Sequence, residues 1–143
     1  MAWWCLRVLA PVAGLVSVSS GQVTTLLVEA EGFDAKGGWK VDTQAVEQMG
    51  SVYLIAHGLG NPVGDATTSV VVPVAGDYRV WVRTRNWVPG NWDAPGRFRL
   101  VVNGGELPVE FGVGSGEWQW QDGGLVALAG GTAGLALRDL TGF

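Results

Sequence analysis

The stretch RVWVRTRNWVPGNWDAPGRFRL, residues 79–100, gathers five arginines and three tryptophans. Trp87 and Trp92 flank a V-P-G-N sequence whose proline and glycine stiffen and shape a loop, which lowers the ordering cost of binding. Sugar rings present C–H faces that pack on indole, and their hydroxyls take hydrogen bonds from fixed polar groups. Asn86, Asn91 and Asp93 stand between and beside the two indoles as such groups, though each is equally an ordinary turn residue. Trp81 alternates with Arg79 and Arg83, and an indole bordered by guanidiniums can receive a carboxylated sugar, because arginine matches a carboxylate bidentately. The competing reading is a cation–π ladder covering one sheet face, paired with Glu110, Glu117 or Asp122 on neighbouring strands. For Trp81 that structural role is the better reading; for Trp87 and Trp92, contact with a ligand is.

Catalytic chemistry finds little to work with. His57 is the one histidine, at the end of YLIAH before a glycine turn, and reads as a turn or rim residue. The chain has no G-x-S-x-G elbow, no Walker-type phosphate loop and no G-x-G-x-x-G fingerprint. No particular pair of carboxylates marks a glycosidase. Glu29 and Glu31 form an E-x-E which, on a strand, sends both carboxylates to one side. A hard cation such as calcium could bridge them, although calcium wants six to eight oxygens. Solvated edge carboxylates are the alternative.

The first 21 residues have the layout of a secretory signal peptide. Arg7 supplies positive charge, VLAPVAGLVSV is apolar, and small residues place cleavage after Ser19 or Gly21. The apolar run is shorter than the roughly 20 residues a membrane span needs, so no stable membrane insertion is expected. An N-terminal anchor or a buried first strand is the alternative. Cys5, the only cysteine, lies in this leader, so residues 22–143 offer no disulfide, thiolate nucleophile or cysteine zinc site. That part carries 8 basic against 13 acidic residues, a net charge near −5. The balance argues against nucleic acid and anionic membrane as partners.

Short β-branched and aromatic runs, separated by many of the 23 glycines, position these groups. Strands are expected at TLLVEAE, GWKVD, YLIAH, TTSVVVP, DYRVWVRTR, RFRLVVN, ELPVEF, EWQWQ, LVALA and GLALRD. Turns fall at GLGNPVGD, PVAGD, NGGE, VGSGE, QDGG and AGGTAG. Alternation turns Tyr78, Val80 and Val82 inward and Arg79, Trp81, Arg83 and Arg85 outward. Phe98, Leu100 and Val102 likewise oppose Arg97 and Arg99, and NGGE closes a hairpin. At least one of Trp118 and Trp120 belongs in a core. The pattern is an all-β, antiparallel β-sandwich of jelly-roll type occupying residues 22–143.

VEAEGF followed by GGW, then GDYRVWVRTR, GRFRLVVNG, WQWQDGG and LALRDL, resembles the galactose-binding-like β-sandwich. Within that group the chain is most similar to carbohydrate-binding modules of families 6 and 35, and to related modules fused to secreted flavin-dependent oxidoreductases. The resemblance implies that Glu29 and Glu31 help hold a structural calcium together with an aspartate on a last strand. That strand has no counterpart before Phe143, so the sandwich reads as truncated. It further implies a non-catalytic module of a larger secreted or periplasmic enzyme, and the residues read above, Trp87, Trp92, Asn86, Asn91, Asp93, Arg83 and Trp81, are those expected to bind its polysaccharide or oligosaccharide. The alternative is a structural accessory domain of a secreted FAD-dependent oxidoreductase or glycoside hydrolase, packing on the catalytic domain without touching sugar.

Overall fold

A computed structural model of the chain describes residues 2–8 as backbone, and residues 23–88, 90 and 95–143 with their side chains. Among the described residues ten strands form: β1 (Ala2–Val8), β2 (Thr25–Glu29), β3 (Trp39–Asp42), β4 (Tyr53–Ala56) and β5 (Ala66–Val72) in the first half. β6 (Gly76–Thr84), β7 (Phe98–Val102), β8 (Gly105–Phe111), β9 (Gln119–Leu128) and β10 (Gly131–Asp139) follow. Two four-stranded sheets have the orders β2-β1-β6-β9 and β5-β10-β7-β8, and β3 pairs with β4 as a separate ribbon. All the pairings are antiparallel. The expected sandwich is what forms.

Period-two patterning explains the core. Tyr78, Val80 and Val82 are fully buried from the first sheet, and Phe98, Leu100 and Leu137 from the second. They meet in one cluster with Trp39, whose ring stands edge-on to Phe98 at 5.8 Å. Each large side chain so buried contributes about 1.5–3 kcal/mol. Arg99 and Arg138, on the opposite face of the second sheet, pair with Glu106, Glu110 and Asp65. The NGGE hairpin joins β7 to β8, with Asn103 and Gly104 both at positive φ (50° and 82°), as a tight primed turn requires.

Three features differ from the sequence expectation. QDGG is not a turn: β9 runs unbroken through it, and the register slips between Val80 and Trp81 on β6. Two glycines make this possible. Gly124 takes φ +82°, and a Cβ on Gly123 would stand 2.8 Å from both Val80 and Phe111. This is a bulge, one extra residue in the longer strand. A single helical turn, α1 (Val46–Met49), was not expected, and Arg83 caps it by donating to the carbonyls of Met49 (2.7 Å) and Gln48 (3.0 Å). Finally, β2 ends at Glu29, and residues 30–32 form a 3-10 turn, so strand alternation does not relate Glu31 to Glu29.

β1 lies within the segment read as a leader and pairs with both β2 and β6. Among the described residues no helix is long and apolar enough to cross a membrane.

Candidate functional site

Four separate pieces of chain enclose a cavity of about 380 Å³ at one end of the sandwich. The β3–β4 ribbon and the residues that follow its strands bring Asp42, Gln44, Ile55, Ala56 and His57. The turn after β4 adds Leu59, the β6–β7 loop adds Trp87 and Val88, and the chain after β10 adds Gly142 and Phe143. Trp87 is 41% exposed, a large apolar plane left open to solvent.

The Trp87 loop is fastened at its neck. The Asn86 amide donates to Gly114 O at 3.1 Å, while its oxygen accepts from Gly96 N at 3.2 Å. The Arg85 guanidinium lies 5.2 Å from the Trp87 ring centroid and donates to the carbonyl of Gly116. A cation over an indole at this range adds about 0.5–1 kcal/mol and restricts the ring.

Asp42 is held as firmly. One oxygen accepts from the turn N–H groups of Thr43 (2.7 Å) and Gln44 (3.3 Å), and the other from the Tyr53 hydroxyl (2.9 Å). Tyr53 stands directly opposite Asp42 in the ribbon, and its hydroxyl also accepts from Ala45 N at 3.0 Å. Burial pushes the Tyr53 phenol above its ordinary value, and the bond to Asp42 adds to that, so the group stays a proton donor. Beneath it lies a second small core of Ala45, Met49 and Tyr53, joined by Trp118 edge-on to Tyr53 at 5.0 Å. Trp118 is thus the indole that packs inside, while Trp120 is 47% exposed.

On the far wall, the buried Asp139 carboxylate fastens two loops. It accepts from Val63 N (2.8 Å), Thr141 N (3.1 Å) and Gly142 N (3.0 Å). Gly58 N donates in turn to Gly142 O at 2.8 Å. Gly142 must be glycine here: its φ is +85°, and a Cβ would fall on the Asn61 backbone.

Among the residues singled out from sequence, Trp87 and His57 come together in this cavity, while Trp92, Asn91 and Asp93 lie outside the described residues. Asn86 pins the loop through both ends of its amide. Trp81 and Arg83 stand on the outer face of the first sheet. There Arg79 lies 5.8 Å from the Trp81 ring and pairs with Asp122, while Arg83 serves α1. The guanidiniums near Trp81 are therefore committed to the protein itself. Asp42, Gln44, Leu59 and Phe143 went unnoticed in the sequence. The D-T-Q that starts at the last residue of β3, a ready Asx turn, was the one local signal available.

Glu31 accepts from the Ser51 hydroxyl at 3.3 Å, and its other oxygen is buried with no hydrogen-bond partner among the described residues. Burial raises its carboxyl above the usual range, and the nearby Glu29 charge adds a smaller push. Two carboxylates fall short of the six to eight oxygens of a calcium shell. Among the described residues no group of three or more histidine, cysteine, aspartate or glutamate side chains could hold a metal.

Neither a protein-family model nor a curated protein matches the chain. A solved structure does: the GH26-CBM35 β-(1,4)-mannanase of Podospora anserina, with a TM-score of 0.61 and 22% identity. The match covers 79% of this chain and 24% of that one, so this chain spans about a quarter of the mannanase's length. The likeness is one of fold.

Proposed function

We propose that the chain is a non-catalytic glycan-binding module that takes a sugar ring against Trp87 in the cavity it shares with Asp42, Gln44 and His57. One observation carries the reading: a half-open indole forms the wall of a cavity that also presents three hydrogen-bonding side chains. Indole supplies the stacking plane, and Asp42 accepts from hydroxyls. Gln44 and His57 can each donate or accept. Trp92, Asn91 and Asp93 follow Trp87 on the same loop and extend the site in this reading. A mannanase that shares the fold and carries a CBM35 module within a longer chain supports both glycan binding and attachment to a larger enzyme. Export through the N-terminal leader belongs to the same proposal.

The bound sugar is uncharged. The carboxylated sugar considered from sequence relied on Arg79 and Arg83, which are spent on Asp122 and α1, away from the cavity. Asp42 places a carboxylate at the ring instead, and a second carboxylate about 5 Å away would be repelled by about 1 kcal/mol in water and more where water is excluded. Asp42 is also held by three donors, which suits a fixed acceptor better than a proton-transferring group.

Affinity electrophoresis of the full chain against β-mannan, xylan, soluble cellulose derivatives and polygalacturonate tests the reading. Retardation by a neutral glycan, abolished in Trp87→Ala, is the expected result. Retardation that Trp87→Ala leaves unchanged would place the site elsewhere. A second reading, a structural accessory domain with no sugar binding of its own, draws on Leu27, Trp120 and Leu125. These are exposed on the outer face of the first sheet, where a catalytic domain of a glycoside hydrolase or FAD-dependent oxidoreductase could pack. Failure of every glycan in the panel would favour it.

A further inference from the structure

The two sides of β1 hold the first sheet together in an unusual way. Among the strands, β2 has one hydrogen-bonded neighbour, and that neighbour is β1. β2 nonetheless belongs to the core: Val28 and Ala30, at and just beyond its end, are buried. In register, Trp4 stands between Val28 of β2 and Val82 of β6, and Leu6 between Leu26 and Val80. β1 therefore fills a slot whose two lips are strands of the sandwich. With strands spaced about 4.7–4.9 Å apart, the lips stand about 9.5 Å from one another.

Emptied, such a slot exposes unpaired N–H and C=O groups along both lips rather than along one edge. An extended segment that enters it gains main-chain hydrogen bonds on both sides, twice what pairing with a single sheet edge provides. The connection between β1 and β2 is also out of proportion. Antiparallel neighbours need a turn of about two to five residues, yet Leu9 to Thr24, LAPVAGLVSVSSGQVT, intervene. The cleavage positions read from the sequence, after Ser19 and Gly21, both fall in this connection. A cut there would turn β1 from a covalent strand into a bound peptide.

We propose that the space between β2 and β6 is a strand-binding slot. Ala2–Val8 fills it here, and in its place it accepts an extended segment of a partner polypeptide. The partner's chemistry follows from the register: about seven residues, apolar at the alternate positions that stand opposite Leu26, Val28, Val80 and Val82, and free of proline at the centre. The proposal is independent of the glycan site, which draws no residue from β1 or β2.

Strand exchange in the full chain tests it. The probe is the synthetic peptide AWWSLRV, with serine replacing cysteine to prevent disulfide formation, and hydrogen exchange is followed by mass spectrometry. Excess peptide should speed exchange of the amides of residues 2–8 by at least about 10-fold while those of 25–29 and 79–83 stay protected, because the slot remains filled. The same peptide with proline at the position of Leu6 should leave exchange of residues 2–8 unchanged, with 25–29 and 79–83 protected by the resident strand. A second form, with a protease site inserted after Gly21 and cut, should bind labelled AWWSLRV one-to-one in native mass spectrometry. Protection of 25–29 that survives the cut with no strand bound would overturn the proposal. So would a cut protein that neither binds the peptide nor regains protection from it, or one that closes the slot by dimerising with a second copy.

Discussion

Replacing Asp139 with alanine should loosen the cavity and the fold together. The carboxylate is buried and accepts from three backbone N–H groups at 2.8–3.1 Å, those of Val63, Thr141 and Gly142. Hydrogen bonds to a charged group contribute about 1.5–3 kcal/mol each, but Val63 and Thr141 are near enough to water to recover part of the loss. Gly142 N is buried and stays unsatisfied, a cost of about 1–3 kcal/mol by itself. A net loss near 3 kcal/mol is therefore expected. With an unfolding entropy of about 2.1 cal/mol/K per residue over roughly 120 residues, Tm should fall by about 12 °C. Differential scanning calorimetry measures that fall, and affinity electrophoresis should show weakened glycan retardation, since Gly142 and Phe143 line the cavity. Asp139→Asn keeps one acceptor oxygen and should fall in between. A Tm drop under about 3 °C with glycan binding intact would refute the view that this carboxylate holds the wall.

Other substitutions probe the remaining supports. Tyr53→Phe removes the hydroxyl that donates to Asp42 and accepts from Ala45 N, and should cost about 1–2 kcal/mol in urea unfolding while weakening glycan binding several-fold. Gly142→Ala forces a Cβ onto the Asn61 backbone at positive φ and should destabilise by about 2 kcal/mol or more, read as a lower urea midpoint. Glu31→Gln should raise Tm slightly at pH 7. Burial lifts the Glu31 carboxyl, so the wild-type chain is favoured below the unfolded-state value and loses ground as pH rises through the folded one. The advantage of glutamine should accordingly vanish in acid. Asp122 behaves in the opposite sense: Arg79 holds its carboxyl below the usual range. Its stabilisation is present above the unfolded value and lost as pH falls through the folded one, so Arg79→Gln should flatten the acid limb of the Tm profile.

Local alternation made much of the fold legible. DYRVWVRTR and RFRLVVN each declare an inward and an outward face, and burial follows them except at Val101, which is buried although it alternates with the inward set. Asn103-Gly104 announces its own turn because few other pairs tolerate positive φ twice. QDGG misleads for a related reason: the glycines that ordinarily end a strand here let β9 absorb a bulge opposite Val80 and Trp81. AWWCLRV alternates well enough to pair as a strand, yet it sits where charge and hydropathy also spell a leader, and sequence carries no weight to separate the two. The cavity was largely illegible. Trp87 stood out because an indole in a Pro-Gly loop has no obvious core to fill. Asp42, Leu59 and Phe143 carry no such mark, since only the pairing of β3 with β4 and the clamp at Asp139 bring these distant segments together.

Isothermal titration of the full chain with neutral and acidic oligosaccharides, repeated on Trp87→Ala, addresses the binding claim most directly. Saturable binding of a neutral oligosaccharide should appear, weaker for its uronic-acid counterpart, and should be lost by at least about 10-fold, or 1.4 kcal/mol, in the variant. Equal affinity of wild type and Trp87→Ala for whichever sugar binds would contradict it.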